Sequence, residues 1–267
     1  MDAACCGLKN RYERNLLCAI IDAMGKAVLC VGKDLPEGND FADALITAGY
    51  AVAATYAAEA VPGRSAQERL VALKWNRTSP ISARSIVLET ENAFAAFDAV
   101  VLYFDAPFLS AEFTSCTVED VSHALDALIA GFQYVATESL ARFLQKQRSG
   151  TVVFVLKTHP SLADAARSPS VRQSTIHPAG PLVAAAQAAF SAFAENYAVL
   201  AADRRCASVV LVQTTAQSET GAQDASLAAW LADYLATNAE KNKSPARVVP
   251  VWIKAGAKSA GLFARFR

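Results

Sequence analysis

The sequence predicts an α/β fold: a doubly wound, Rossmann-like parallel sheet of about seven strands with helices on both faces. Three observations carry this. Strand-like runs alternate with helix-patterned segments about seven times along the chain. The strongest runs, residues 27–31 (AVLCV), 99–104 (AVVLYF), 151–156 (TVVFVL) and 208–212 (SVVLV), are apolar without alternation. Continuous apolar strands imply burial on both faces, as in a parallel sheet. The segments joining them suit helical crossovers, which are right-handed in nearly all cases.

The elements follow in order. Residues 1–24 form an N-terminal extension whose stretch 8–24 has amphipathic helical character. The main domain spans 25–255 and a short tail 256–267. Strand 27–31 leads into a polar turn, residues 32–40 (GKDLPEGND), then helix 41–48 with Gly49 as its C-cap, then strand 50–56. Residues 66–75 read as a helix, 76–82 as a loop and 84–88 (RSIVL) as a short third strand. After strand 99–104, Thr117 caps a long helix reaching about Lys146, with Glu119 and Asp120 at the positive end of its dipole. Residues 157–180 read as a long loop. Helix 180–202 places Val183, Gln187, Phe190, Ala194 and Tyr197 on one face. A polar loop 214–224, a helix 225–239 and a last strand 245–253 complete the order. Trp75, Trp230 and Trp252 read as core or interface anchors.

Composition narrows the function. The chain has 267 residues with formal net charge +0 and 53% hydrophobic content. It has no overall basic field to attract nucleic acid. No run approaches the roughly 20 apolar residues of a membrane span. The apolar excess points to a buried sheet, a protein–protein interface, or both. The six cysteines form no CxxC pair and no zinc spacing, so no metal site is expected. Cys30 and Cys206 read as buried thiols, and the compartment as intracellular and reducing. No secretory signal is visible.

In doubly wound sheets the ligand crevice lies beyond the carboxyl ends of the strands. Four loops are placed there: 32–40, 104–115, 157–180 and 213–224.

The element order, with GKAVLCVG, FDAVVLY, the forty residues from Val118 and the final helix and strand, resembles the short-chain dehydrogenase/reductase family over about residues 25–255. The resemblance implies a nicotinamide dinucleotide held at a three-glycine turn and a catalytic tetrad of Asn, Ser, Tyr and Lys. Here the outer glycines fall on Gly32 and Gly38, but the middle one is Pro36, which has no N–H for a phosphate. Asp34 and Glu37 add negative charge, and Lys33 is the favourable group. Thr55 stands where NAD-preferring members carry an acid, which favours NADP if a dinucleotide binds. Gly32, Lys33, Gly38 and Thr55 are therefore the residual cofactor candidates.

The tetrad positions fall on Leu128, Lys157, Val183 and Gln187, none with the required chemistry. Valine cannot pass a proton, and glutamine carries no charge to lower a tyrosine pKa. No tyrosine replaces the missing one, Tyr197 being too deep in its helix. A site built from His177 and Thr158 is the remaining catalytic candidate. The expectation is thus an inactive reductase fold without cofactor, serving as an accessory subunit of a larger assembly, with a mitochondrial respiratory complex as one candidate. Its partners would be other protein subunits or a second copy, met through helices 118–146 and 181–202 and the termini. The alternatives are an NADP-dependent reductase with atypical groups and a dinucleotide sensor without turnover.

Overall fold

A parallel seven-stranded sheet in the order β3-β2-β1-β4-β5-β6-β7 forms the centre of the computed structural model. The structure describes residues 26–57, 69–173, 177–205, 207–238 and 249–257. The strands are β1 (Ala27–Leu35), β2 (Ala51–Ala57), β3 (Leu70–Trp75), β4 (Ala99–Asp105), β5 (Gly150–Thr158), β6 (Ala207–Thr215) and β7 (Trp252–Lys254). The chain runs outward from β1 to β3, then returns to β4 on the other side of β1. The switch point lies between β1 and β4, and a crevice opens there at the strands' carboxyl ends.

The helices, in chain order, are α1 (Asn39–Thr47), α2 (Pro80–Phe94), α3 (Ala106–Glu112) and α4 (Val118–Ala124). A π-helical segment (Leu125–Ala130) leads into α5 (Gly131–Gln145). Then come α6 (Leu162–Arg167), α7 (Pro169–Arg172), α8 (Pro181–Arg204) and α9 (Asp224–Asn238). Alternate strand residues serve opposite layers. Leu29, Leu102 and Phe154 face α2, α5 and α8. Cys30, Val101 and Val155 face α1 and α9. Phe190 of α8 sits among Phe104, Phe132 and Phe154, with ring centroids 5.2, 5.2 and 5.6 Å away. Such ring pairs add about 0.5–1.5 kcal/mol each beyond burial. Tyr197 donates its hydroxyl to Ala136 O at 2.7 Å and ties α8 to α5.

The two elements after β2 differ from expectation. Residues 70–75 pair in parallel with β2 along their whole length and are a strand. The Ala/Leu content that reads as helix is overridden by a sheet edge seeking a partner. Residues 84–88 lie inside α2. Its start is a Ser79-Pro80 signal: Ser79 accepts a hydrogen bond from Ser82 N at 3.2 Å, and Pro80 occupies the first turn. Ala83, Ile86, Val87 and Thr90 then make a buried helical face, so the branched run belongs to a period of 3.6 rather than 2.

Smaller differences bear on the crevice. β1 continues to Leu35, into the expected polar turn, with a register shift after Cys30. The Leu35–Pro36 peptide is cis. The segment 157–180 holds α6 and α7 rather than a bare loop. The last strand is confined to Trp252–Lys254, and residues 245–248 lie outside the described residues, as do the expected N-terminal helix, Cys206 and the end of the tail. Trp75 is buried, whereas Trp252 is half-buried and donates to Glu195 Oε1 at 2.7 Å. Among the described residues, no helix is long and apolar enough to cross a membrane.

Candidate functional site

The crevice at the switch point contains two linked pairs of charges. Lys33 comes from β1, Asp105 from the end of β4, Lys157 from β5 and Asp224 from the first turn of α9. Their side chains are 13%, 2%, 7% and 10% exposed. Lys33 Nζ lies 2.6 Å from Asp105 Oδ2 and also pairs with Asp224 Oδ2. Lys157 Nζ lies 3.6 Å from Asp105 Oδ2 and 3.3 Å from Asp224 Oδ1. Each lysine therefore meets both carboxylates, and the cluster sums to zero. Such mutual pairing is what permits four ions to stay so far from water.

The remaining lone pairs are also used. Asp105 Oδ1 accepts from Phe108 N at 3.2 Å and caps α3. Tyr103 donates its hydroxyl to Asp224 Oδ1 at 2.8 Å. Lys33 Nζ also lies 5.6 Å from the Tyr103 ring centroid and 5.8 Å from that of Phe108.

Protonation follows from this arrangement. Burial disfavours the Lys33 cation, but the charges and hydrogen bonds of Asp105 and Asp224 outweigh it and raise its pKa. Burial likewise opposes ionisation of Asp224, and Lys33, Lys157 and the Tyr103 hydroxyl together hold its carboxyl below the usual range. Tyr103 is pushed upward by burial, then by the two neighbouring carboxylates. It is a fixed proton donor, far from phenolate. Burial pushes the Cys30 thiol up to about 12, which makes it an inert core group.

A second network flanks the first on the β2 side. Arg77, in the turn after β3, donates to Asp34 Oδ2 from Nε at 3.2 Å and from Nη2 at 2.8 Å, and from Nη2 to Gly32 O at 2.7 Å. Thr55, fully buried near the end of β2, donates its hydroxyl to Asp34 Oδ1. The guanidinium lies 5.2 Å from the Trp75 ring centroid.

The residual cofactor candidates are thus all engaged within the protein. Lys33 and Thr55 have the partners just described. Gly32 has φ +105°, and a Cβ there would meet Tyr103 O at 2.3 Å and the Phe132 ring at 2.6 Å. A Cβ on Gly38 would meet Lys33 O at 2.3 Å. Both glycines are required by the chain's own close approaches. Within the turn, Gly38 N bonds Asp34 O at 2.9 Å and Asn39 N bonds Pro36 O at 3.0 Å.

The four positions aligned with a tetrad are dispersed in role. Leu128 in the π segment and Val183 on α8 are both 0% exposed and belong to one core. Gln187 Oε1 accepts from His159 N at 3.0 Å. Lys157 belongs to the charge cluster. His177 and Thr158 do not form a pair: Thr158 donates to Thr214 O at 3.2 Å, and His177 Nδ1 lies 3.1 Å from Pro178 O. Among the described residues, no three metal-ligating side chains gather.

Each of the four crevice loops expected from the sequence delivers one charge: Lys33, Asp105, Lys157 and Asp224. Asp105, Asp224, Tyr103 and Arg77 are site members that no sequence motif marks. The available signal was charge or hydroxyl at the carboxyl ends of apolar strands, as in the Tyr-Phe-Asp ending of β4.

No family model matches the chain. Over 248 residues it is 29% identical to an uncharacterized protein of Treponema pallidum (strain Nichols), covering 91% of this chain and 98% of that one. Similar solved structures include two short-chain dehydrogenases. A short-chain dehydrogenase from Mycobacterium smegmatis has a TM-score of 0.58 at 16% identity, with 89% of this chain and 94% of that one covered. A doubly substituted short-chain dehydrogenase/reductase from Serratia marcescens has a TM-score of 0.54 at 16% identity, with 87% and 97% covered. At that identity the likeness is one of architecture, and the chain carries the Rossmann-like fold of the short-chain dehydrogenases.

Proposed function

We propose that the chain is a non-catalytic protein of the reductase fold, kept for its surfaces as an accessory subunit of a larger protein assembly. The observation that carries the reading is α8. Its packing face is retained through Phe190, Ala194 and Tyr197, all buried. Where the fold's proton-transfer tyrosine and lysine align, Val183 is sealed in the core and Gln187 is spent on a backbone N–H. Neither can deliver a proton to a carbonyl oxygen. Lys157, aligned with the serine, is held by two carboxylates.

The surfaces support the second half of the proposal. Val118, Val121 and Leu125 are exposed at three- and four-residue steps along α4 and the π segment, and Val199 and Leu200 are exposed on α8. These are faces of the two helices that the sequence assigns to partners. Exposed apolar residues in a row on one face are a feature of interaction sites. A mitochondrial respiratory complex is one setting that would use such a subunit. The bacterial relative gives that setting no support, so the proposal is limited to an assembly of proteins.

The test is the mass and composition of the native particle carrying this chain, together with a carbonyl-reduction assay. A particle containing other polypeptides, from which Val121→Asp with Leu125→Asp releases the chain, is the expected result. A particle of this chain alone, or nicotinamide-dependent carbonyl turnover, contradicts the reading.

A further inference from the structure

We infer that the crevice is closed by the chain's own side chains and takes no nicotinamide dinucleotide. The fold implies such a cofactor, and the residues present do not fit it at either end. A diphosphate needs free N–H donors and a positive field where β1 meets its helix. Here Pro36 supplies no N–H, and the N–H groups of Gly38 and Asn39 are bonded within the turn at 2.9 and 3.0 Å. Glu37 and Asp40 add negative charge to that turn, while Asp34 is balanced by Arg77. The one nearby cation from β1, Lys33, is turned into the crevice and paired with Asp105 and Asp224.

The chain's own groups are also packed closely around the start of the turn. The Phe132 ring and Tyr103 O lie so close to Gly32 that a single Cβ there would be 2.6 and 2.3 Å from them. At the far end, the position that would meet the ribose is Thr55, buried and already donating to Asp34. Arg77 seals that side by binding both Asp34 and Gly32 O.

Lys33 and Asp34, adjacent on the extended end of β1, therefore act as a built-in plug. Lys33 fills the diphosphate side and Asp34 the ribose side. This inference does not depend on the subunit role, since a closed crevice is compatible with any function carried by the surface.

The experiment is a calorimetric and thermal-shift titration of the full chain with NADPH, NADP⁺, NADH and NAD⁺ to about 1 mM. No saturable heat and an unmoved melting temperature are expected, because a ligand at 100 times its Kd would stabilise the fold visibly. Saturable binding of any one of the four overturns the inference. Binding without carbonyl turnover would overturn it and leave the non-catalytic reading standing, whereas turnover would overturn both. A second arm uses Lys33→Met. Its melting temperature should fall by roughly 6–12 °C, the scale for breaking a buried ion cluster in a domain of this size. An unchanged melting temperature would contradict the placement of Lys33 as plug. Should that variant fail to fold, the titration of the unaltered chain still decides.

Discussion

The two polar networks flanking β1 occupy the same crevice but are built differently. On the β4 side, four ions from three strands and a helix cross-pair, so each charge has two opposite partners. On the β2 side, one bidentate arginine and one threonine hold a single carboxylate. The first network depends on every member, because removing one ion leaves another buried and uncompensated. The second has fewer charges to strand, one arginine against one carboxylate, although Arg77 and Asp34, at 15% and 14% exposed, are nearly as shielded as Lys33 at 13%. The difference separates a four-ion cluster from a single ion pair, and substitutions can test it in order of expected size.

The largest effect should come from Asp105→Ala. It leaves Lys33 and Lys157 facing one carboxylate and uncaps α3. Urea unfolding should show a loss of about 3–5 kcal/mol. A loss below about 1 kcal/mol would mean the four ions are not coupled. Coupling can be read directly from Lys33→Met, Asp224→Asn and the double variant. The double variant retains the neutral pair Lys157 and Asp105. Its cost should fall short of the summed single costs by about 1–3 kcal/mol, and additivity would break the comparison.

Arg77→Ala should cost less, about 1.5–3 kcal/mol, as the loss of charge-assisted hydrogen bonds to a carboxylate that Thr55 still holds. Equal losses for Arg77→Ala and Asp105→Ala would erase the distinction between the networks.

The smallest effect is in pH dependence. Asp224 has a depressed folded pKa, so its contribution is complete above the unfolded value near 3.9 and is lost as pH falls through the folded value. Lys33 has a raised folded pKa, so its contribution is complete below about 10.4 and is lost as pH rises through the folded value. The stability gap between the parent chain and Asp224→Asn should therefore be flat from about pH 5 to 9 and shrink below about pH 4. A gap that shrinks near neutrality would contradict the charge assignments.

The contrast also marks what a sequence can convey. β1, β4, β5 and β6 were legible because a strand buried on both faces must be apolar throughout. The long helix from Thr117 was legible because its capping box is local: Thr117 and Asp120 bond reciprocally within one turn. β3 and α2 were exchanged in reading because their identity depends on what they pack against. LVALKW is a strand through its partner β2, and RSIVL is helical because its turn continues from Ser79-Pro80. The crevice loops followed from topology alone. The plug did not, because Lys33 and Asp105 are separated by 72 positions, and Lys157 and Asp224 by 67. No local pattern records such a pairing. The positions of Thr55 and Lys33 suit ligand contacts. Their side chains instead meet groups of this chain brought in by other strands.

Re-creating the aligned tyrosine and lysine extends the same lesson. Val183→Tyr places a large ring at a site with no exposure, and overpacking of that kind costs about 1–3 kcal/mol. With Gln187→Lys added, the variant should be less stable and still lack carbonyl reduction.

The most direct test of the central claim is reduced-nicotinamide oxidation by the unaltered chain across a panel of carbonyl compounds. The account predicts a rate equal to that without protein, with both NADPH and NADH. A protein-dependent rate that saturates with either nucleotide would contradict it.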